Sequence, residues 1–553
     1  LITNYYLGFG DGAAFAIRRP DCVTLDEGSN LGLVLGSYEQ IGSIGIATKP
    51  SLDGKTGVNG TSLILPTKEF TNHFTNKESI SISIPQEVCF NSYGYFSNME
   101  SNSDVITLAT FKGLVNAAII KCNIGTGNVI LCGIDPFSST ADSRETVGQD
   151  NEHAMRKQFI RSLLTILGIM STDILIPNLS KEIYLVALRP AIKDLLLHNI
   201  KKLEESDGMI KAGHNSFRAV ESSSYEYKED CVNDPDPQAL KIVVGDELPP
   251  SSKTPCFNFE RYFHELSNAR SSTDTFKFHN FEFGSLVLYG EVLESTQALL
   301  EKNIKFTQQL PGGFVTLATQ QTQGYGRGGN TWISPPGCLQ FSFVMRHSVN
   351  NQSASVVFIQ YLLSLSVVEA VRTKPGYEDV PLRLKWPNDI YAEIFNDPSA
   401  SPELVKIGGV LVKSEFFKNE FLLISGCGVN LSNAAPTTSI NQIIDKYNES
   451  HHTSRQLKPF SQEELLARIL VKFELFYTEF CGNGSGYESF LDVYYERWLH
   501  SDQVVTLENH ENRRARIIGI DNFGFLRAFI LDSNEVVTLQ PDGNRFDIMK
   551  GMI

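Results

Sequence analysis

Four short segments in the C-terminal half of this 553-residue chain carry residue types and spacings suited to chemistry. The densest runs from Gln320 to Trp332 and reads Gln-Gln-Thr-Gln-Gly-Tyr-Gly-Arg-Gly-Gly-Asn-Thr-Trp. Gly324, Gly326 and Gly329 fit a G-x-G-x-x-G dinucleotide fingerprint, but the downstream sequence does not. Pro335-Pro336 interrupts any helix opening there, and no Asp or Glu lies between Asn330 and Val368 to hold a ribose. The G-K-[ST] of a P-loop is missing as well. What remains is a glycine-dense loop with one permanent cation, Arg327, suited to closing over an anionic intermediate.

The second segment, Leu382 to Tyr391, reads Leu-Arg-Leu-Lys-Trp-Pro-Asn-Asp-Ile-Tyr. At strand period Arg383 and Lys385 share one face, and Leu384 and Trp386 the other. Pro387 is expected to end the strand and leave Asn388 and Asp389 at its tip. A carboxylate beside a lysine stays ionised and can accept a proton or help hold a metal ion. The third segment places Lys406 at the opening of an apolar strand, with Gly408 and Gly409 allowing a ligand close to the backbone. In the fourth, Gly426-Cys427-Gly428-Val429-Asn430 ends another apolar strand with small residues.

The elements that must position these segments are legible around them. Strands are expected at 285–289, 314–320, 339–346, 382–386, 407–415 and 420–426. Ser295-Thr296 caps a helix to about residue 302. Further helices are expected at 353–372, 462–481 and 488–499, and strands at 504–507, 514–519, 525–529 and 535–539 suggest a small barrel. In the first 170 residues short β-rich runs at 61–65, 79–84, 105–110, 114–121 and 128–131 precede a helix at about 152–167. Gly8-Phe9-Gly10-Asp11-Gly12 reads as a turn. Between about 201 and 274 the pattern weakens. Residues 221–237 hold six acids, one lysine and two prolines, the composition of a linker.

Composition excludes several classes. Hydrophobic residues make up 42% and charged residues 20%, so the chain is neither disordered throughout nor a disulfide scaffold. A net charge of −15 opposes nucleic-acid binding in the absence of a basic patch, and none is found. The longest uncharged run, between His347 and Glu369, carries too many Asn, Gln and Ser for a membrane span and suits a buried helix. Nine scattered cysteines without a CxxC pair favour free thiols in a reducing compartment. The chain begins at Leu1, so an original start, with any targeting segment, is expected to lie outside it.

Taken together, in this order and spacing, the four segments resemble the biotin–protein ligases, specifically their long eukaryotic holocarboxylase synthetase branch. The resemblance runs from about 285 to 553, and Asp542-Gly543-Asn544 also looks like that branch. It implies an α+β multidomain protein. A class II aminoacyl-tRNA-synthetase-like catalytic domain, a mixed β-sheet with flanking helices, would span 275–501, and an SH3-like β-barrel 502–553. The first 170 residues resemble a degraded glutamine-amidotransferase-like α/β domain, most clearly around Gly127 to Pro136, and lack its cysteine nucleophile. Residues 171–274 would be a linker or extension.

The resemblance also implies the reaction and its participants. Biotin and ATP, entering as MgATP, form biotinyl-5′-AMP, and the acyl group passes to a lysine of a carboxylase carrier domain. Ser295, Thr296 and Gln297 match the segment contacting the biotin rings. Gln321 and the loop Gly324-Tyr325-Gly326-Arg327, with Trp332, match the lid over biotin and adenylate. Asn388, Gly409 and Asn430 complete the expected binding set. Arg327, Lys406, Asp389 and Lys385 are the expected catalytic group, Lys406 holding carboxylate and phosphate. Asp389 would act on the incoming amine, which is mostly protonated at neutral pH. No fixed metal is implied; Mg²⁺ arrives with ATP, near Asp389. Tyr325 stands where many members have a second cation, and Gln297 where many have Asn. The implied partners are carriers of the acetyl-CoA, pyruvate, propionyl-CoA and methylcrotonyl-CoA carboxylase type, in cytoplasm and also mitochondrion, with no DNA and no membrane. A lipoate- or octanoyl-transferase would share the fold but not the spelling of the motifs. A bacterial-type repressor would need a helix-turn-helix where this chain is acidic, and an inactive scaffold would not keep Arg327, Lys406 and Asp389.

Overall fold

The uncharged run before Glu369 folds as the sequence demands. In this computed structural model a 3₁₀ turn at Val356–Phe358 leads into a helix at Ile359–Arg372. Leu362, Leu363, Val367 and Val368 are fully buried, at about 1.5–3 kcal/mol each against exposure. Before residue 178 the structure describes strands and one helical stretch. Beyond it, residues 178–222, 239–273, 282–351, 354–395, 401–434, 437–450, 456–482, 484–533 and 535–540 are described.

The chain divides into two compact units, Leu1–Leu175 and Ile176–Ile553. In the first, strands at Thr61–Pro66, Val105–Phe111, Ala117–Ile124 and Gly127–Cys132 belong to a largely antiparallel sheet. Tyr5–Phe9 joins it in parallel with Gly127–Cys132. Gly8 and Phe9, expected in a turn, are therefore strand residues. The strand expected at 79–84 and the rest of the glycine cluster lie outside the described residues. Residues 158–163 and 165–166 are helical, within the helix expected at 152–167.

The second unit is built on an eleven-stranded mixed sheet. Its strands are β1 (Glu182–Ala187), β2 (Ile210–Lys211), β3 (Ser216–Glu221), β4 (Leu240–Val244), β5 (Leu286–Leu293), β6 (Val315–Gln321), β7 (Cys338–Ser348), β8 (Leu382–Lys385), β9 (Asp389–Ile394), β10 (Glu403–Phe417) and β11 (Glu420–Asn430). Their order across the sheet is β2-β3-β4-β1-β5-β6-β7-β11-β10-β9-β8. Helices α1 (Pro190–Lys201), α2 (Phe259–Ser271), α3 (Thr296–Glu301), α4 (Ile359–Arg372), α5 (Ile440–Ser450), α6 (Gln462–Gly482) and α7 (Leu491–Arg497) accompany it.

Three expectations are corrected here. The described residues of 171–274 are not a linker: β1 to β4 extend the sheet, and β1 pairs antiparallel with β5. Ile183, Phe217, Ile242 and Tyr262 are buried, so this region has its own apolar surface to offset ordering. The acidic run beyond residue 222 lies outside the described residues. Second, Lys406 does not open its strand; β10 begins at Glu403. Third, β8 ends before Pro387 as expected, but Asp389 is not left at a strand tip: it opens β9 and pairs back with Lys385.

Beyond α7, strands at Val504–Leu507, Arg513–Ile520, Leu526–Ile530 and Val536–Leu539 form a four-stranded antiparallel meander. It belongs to the same compact unit as the large sheet. Residues 541–553, including Asp542-Gly543-Asn544, lie outside the described residues. Tyr361 of α4 and the Trp386 indole both donate to the Gly524 carbonyl. Gly524 has φ +79°, and a Cβ there would come within 2.8 Å of Val357, so this tight approach requires glycine.

Candidate active site

A cavity of about 290 Å³ opens where α3, the glycine loop and the β8–β11 end of the sheet meet. Ser295 builds the first corner. Its side chain accepts from the Ala298 N–H and caps α3, which turns Thr296 and Gln297 inward. The Thr296 N–H donates to Gln321 Oε1 at 2.7 Å, and its hydroxyl meets Ser342 Oγ at 2.9 Å. Gln321 Nε2 in turn reaches Ser334 and Gln340, both at 3.3 Å. The start of α3, the end of β6 and Ser334 are thus tied to one another and to β7 by neutral polar groups.

The glycine loop is a tight excursion, not a helix start. The Trp332 N–H donates to the Gly324 carbonyl and the Gly326 N–H to the Asn330 carbonyl, both at 2.8 Å. Gly328 and Gly329 supply the positive φ values, +63° and +76°, of the turn between them. Arg327 lies at this turn and donates to Asn388 Oδ1 at 3.4 Å. Asn388 is held by its own donation to the Val410 carbonyl at 2.7 Å, so its oxygen points back to the loop.

On the opposite side, Lys406 Nζ pairs with Asp389 Oδ1 at 2.7 Å across β9 and β10. Asp389 sits opposite Gly409, and a register shift follows between Ile390 and Tyr391. Burial, then the nearby Asp389 carboxylate, pushes the Tyr391 hydroxyl up to about 12. Two glycines of β11 make room at the cavity floor. A Cβ on Gly426 would lie 2.5 Å from Gln297 Oε1, and one on Gly428 would lie 2.8 Å from the Trp332 indole. Gln297 Oε1 and Trp332 Nε1 are both buried without a hydrogen-bond partner. Beside the cavity's two cations thus lie one acceptor and one donor that no protein group satisfies.

Ser295, Thr296, Gln297, Gln321, Tyr325, Gly326, Arg327, Trp332, Asn388, Asp389, Lys406 and Gly409 all line this cavity. Gly324, Lys385 and Asn430 do not. Gly324 lies behind the loop, where a Cβ would meet the Trp332 carbonyl at 2.7 Å. The Lys385 ammonium sits 5.5 Å above the Tyr391 ring, and Asn430 Oδ1 accepts from the Cys338 thiol. Sequence reasoning missed Ser342, whose signal was a polar residue at period two, with Gln340, in the apolar strand β7. It also missed Glu301 and Lys413, which no local pattern distinguishes. Among the described residues no group of three potential ligands could hold a metal ion, and no helix is long and apolar enough to cross a membrane.

Residues 289–430 match the model of the biotin/lipoate A/B protein ligase family. The human biotin–protein ligase is 34% identical over 443 residues, covering 79% of this chain and 56% of the human protein. The biotin–protein ligase of Schizosaccharomyces pombe is 32% identical over 502 residues, covering 86% of this chain and 76% of the yeast protein. This chain thus spans about half the length of the human relative. A solved biotin protein ligase from Aquifex aeolicus, in complex with biotin and ATP, aligns with 47% of this chain and 96% of its own, at TM-score 0.34 and 23% identity.

Proposed function

The chain belongs to the biotin–protein ligase family, and from that premise we propose that it activates biotin with MgATP to biotinyl-5′-AMP and passes the acyl group to a carrier-domain lysine. What supports this reading is the convergence of Arg327 and Lys406, far apart in sequence, on one cavity with a buried free acceptor and a buried free donor. A cyclic urea carries N–H donors beside a carbonyl acceptor, the complement of Gln297 Oε1 and Trp332 Nε1. An unmatched buried partner would cost about 1–3 kcal/mol, which favours a ligand of that kind over an apolar one.

In the first step the biotin carboxylate attacks the α-phosphorus and pyrophosphate leaves. Lys406 and Arg327 face the developing negative charge from two sides. Asn388 holds Arg327 in place through the 3.4 Å contact. Mg²⁺ enters as part of the nucleotide substrate, Asp389 being the carboxylate among the cavity-lining residues. In the second step a neutral lysine amine attacks the acyl carbonyl, and AMP leaves with the electron pair of the broken acyl–oxygen bond. Asp389 takes part by a handover. An entering phosphate competes for the Lys406 ammonium, and a carboxylate deprived of its cation becomes a better proton acceptor.

The acceptors we propose are carrier domains of the acetyl-CoA, pyruvate, propionyl-CoA and methylcrotonyl-CoA carboxylase type, modified in the cytoplasm and also the mitochondrion. The β12–β15 meander would be the SH3-like domain of the family, β12 to β15 being its four strands in chain order, from Val504–Leu507 to Val536–Leu539. The test is mass spectrometry of such a carrier domain incubated with the chain, biotin and MgATP. A mass gain of one biotinyl group on the carrier lysine is expected. A gain with lipoate instead, or none, would overturn the proposal.

A further inference from the structure

Gln297 is almost entirely enclosed, yet its amide has only one acceptable orientation. Its Nε2 donates to Glu301 Oε1 at 2.7 Å and to the Ile424 carbonyl at 3.0 Å, which uses both protons. A flipped amide would set its oxygen against a carboxylate and a carbonyl, two acceptors. Oε1 is therefore turned to the side of Gly426, a glycine of the cavity lining, and no protein donor meets it there. Glu301 does more than orient this amide. Its second oxygen accepts from the Tyr325 hydroxyl at 2.7 Å and pairs with the Lys413 ammonium of β10. Lys413 also lies 5.6 Å from the centre of the Tyr325 ring. One largely buried carboxylate at the end of α3 thus ties the ring-facing amide, the glycine loop and the strand carrying Lys406.

We propose that Glu301 is a positioning residue that fixes Gln297 as an acceptor for a ligand N–H and anchors the glycine loop through Tyr325. This rests on the ligase reading and deepens it. Tyr325, which takes the place of a second loop cation, then acts as a tether and not as a charge. Glu301→Gln gives the fork one oxygen and one NH₂ in place of two acceptors. Lys413 and the Tyr325 hydroxyl claim the oxygen, so the NH₂ turns to Gln297 and reverses its amide. A donor then faces the ligand N–H, the wrong partner for it.

The experiment is calorimetric binding of biotin and of ATP, with steady-state kinetics, on the full chain and two variants. Glu301→Gln is expected to weaken biotin binding about tenfold to hundredfold and to raise KM for biotin. KM for ATP, and kcat at saturating biotin, should stay within about threefold. Tyr325→Phe cuts only the loop tether. It should release biotinyl-5′-AMP about tenfold faster, a larger change than any in its biotin Kd. A wild-type chain that binds no biotin would overturn the ligase reading itself. A wild-type chain that binds biotin, with Glu301→Gln binding equally tightly, would overturn only the role of Glu301. If Glu301→Gln does not fold, unchanged adenylate release in Tyr325→Phe would overturn it instead.

Discussion

The two walls of the cavity are made differently. The α3, β6 and β7 side presents Ser295, Thr296, Gln297 and Ser342, all neutral, buried and hydrogen-bonded to one another or to backbone. The β8 to β10 side presents Asp389 and Lys406, charged and partly open to solvent, with side-chain exposures of 21% and 44%. A buried neutral network tolerates no mispairing, because each unmatched group costs about 1–3 kcal/mol. A half-exposed ion pair is worth little by itself and can exchange a partner for an entering anion. On the function proposed above, the first wall would choose a ligand and the second act on it.

The sharpest way to break this division is Lys406→Ala. Adenylate formation at saturating biotin, followed as pyrophosphate release, should fall by about 10²- to 10³-fold, a larger loss than that in biotin affinity. If the variant instead lost biotin binding and kept its turnover at saturation, the charged wall would be doing the choosing.

The second test asks what keeps the charged wall in place. The Trp386 N–H donates to His500 Nε2 at 3.1 Å, and His500 Nδ1 meets Gln503 Oε1 at 3.0 Å. A protonated ring would turn a second N–H against Trp386. Burial, followed by a smaller effect of Lys385, pushes His500 down to about 4 from an ordinary 6.5. The unfolded chain therefore binds the extra proton first. The stability this neutral ring gives is complete above pH 6.5 and is lost as pH falls toward 4, by about 3 kcal/mol in all. Glu474, pushed up to about 7 by burial, acts in the opposite sense, so the difference from His500→Gln isolates the histidine. Urea denaturation at pH 7 and pH 4.5 should show that difference shrinking or reversing at the lower pH. A difference constant with pH would detach His500 from this account.

Much of the acting wall was legible in sequence, because Asp389 and Lys406 are charged residues set beside glycines or a proline in otherwise apolar strand segments, as was Arg327 of the glycine loop. The choosing wall was legible at Ser295-Thr296, where a cap signals itself locally, and at Gln297 and Gln321 only through the family resemblance. Glu301 was not, because its partners Tyr325 and Lys413 lie 24 and 112 residues away and meet it only through the sheet. The added strands β1 to β4 were missed for a related reason. They are two to six residues long; β1 pairs with β5 across about a hundred residues of chain, and β2 to β4 join the sheet only through one another and β1. Helix α2 does carry a pattern, Phe259, Tyr262, Phe263 and Leu266, which the acidic composition upstream obscured.

Asp389→Asn probes the acting wall at its second step. The amide keeps the shape but cannot take a proton, so transfer to the carrier lysine should fall by about 30-fold and adenylate formation by only a few-fold. Single-turnover transfer from preformed adenylate separates the two. Equal losses in both steps would mean that Asp389 serves only to hold Lys406.

Gly426→Ala tests the choosing wall with a single methyl group. The new Cβ would stand 2.5 Å from Gln297 Oε1 and 3.2 Å from Ser342 Oγ, so Gln297 must shift against Glu301 and Ile424, which hold its nitrogen. The oxygen would move by a few tenths of an ångström off the line to a ligand N–H. We expect biotin affinity to fall about tenfold, roughly 1.4 kcal/mol, with ATP affinity unchanged, both measured by calorimetry. Because Lys406 and Asp389 lie on the other wall, kcat at saturating biotin should stay within about twofold. A variant with normal biotin affinity and impaired kcat would show that the two walls are coupled through β11 and that the division of labour between them is not real.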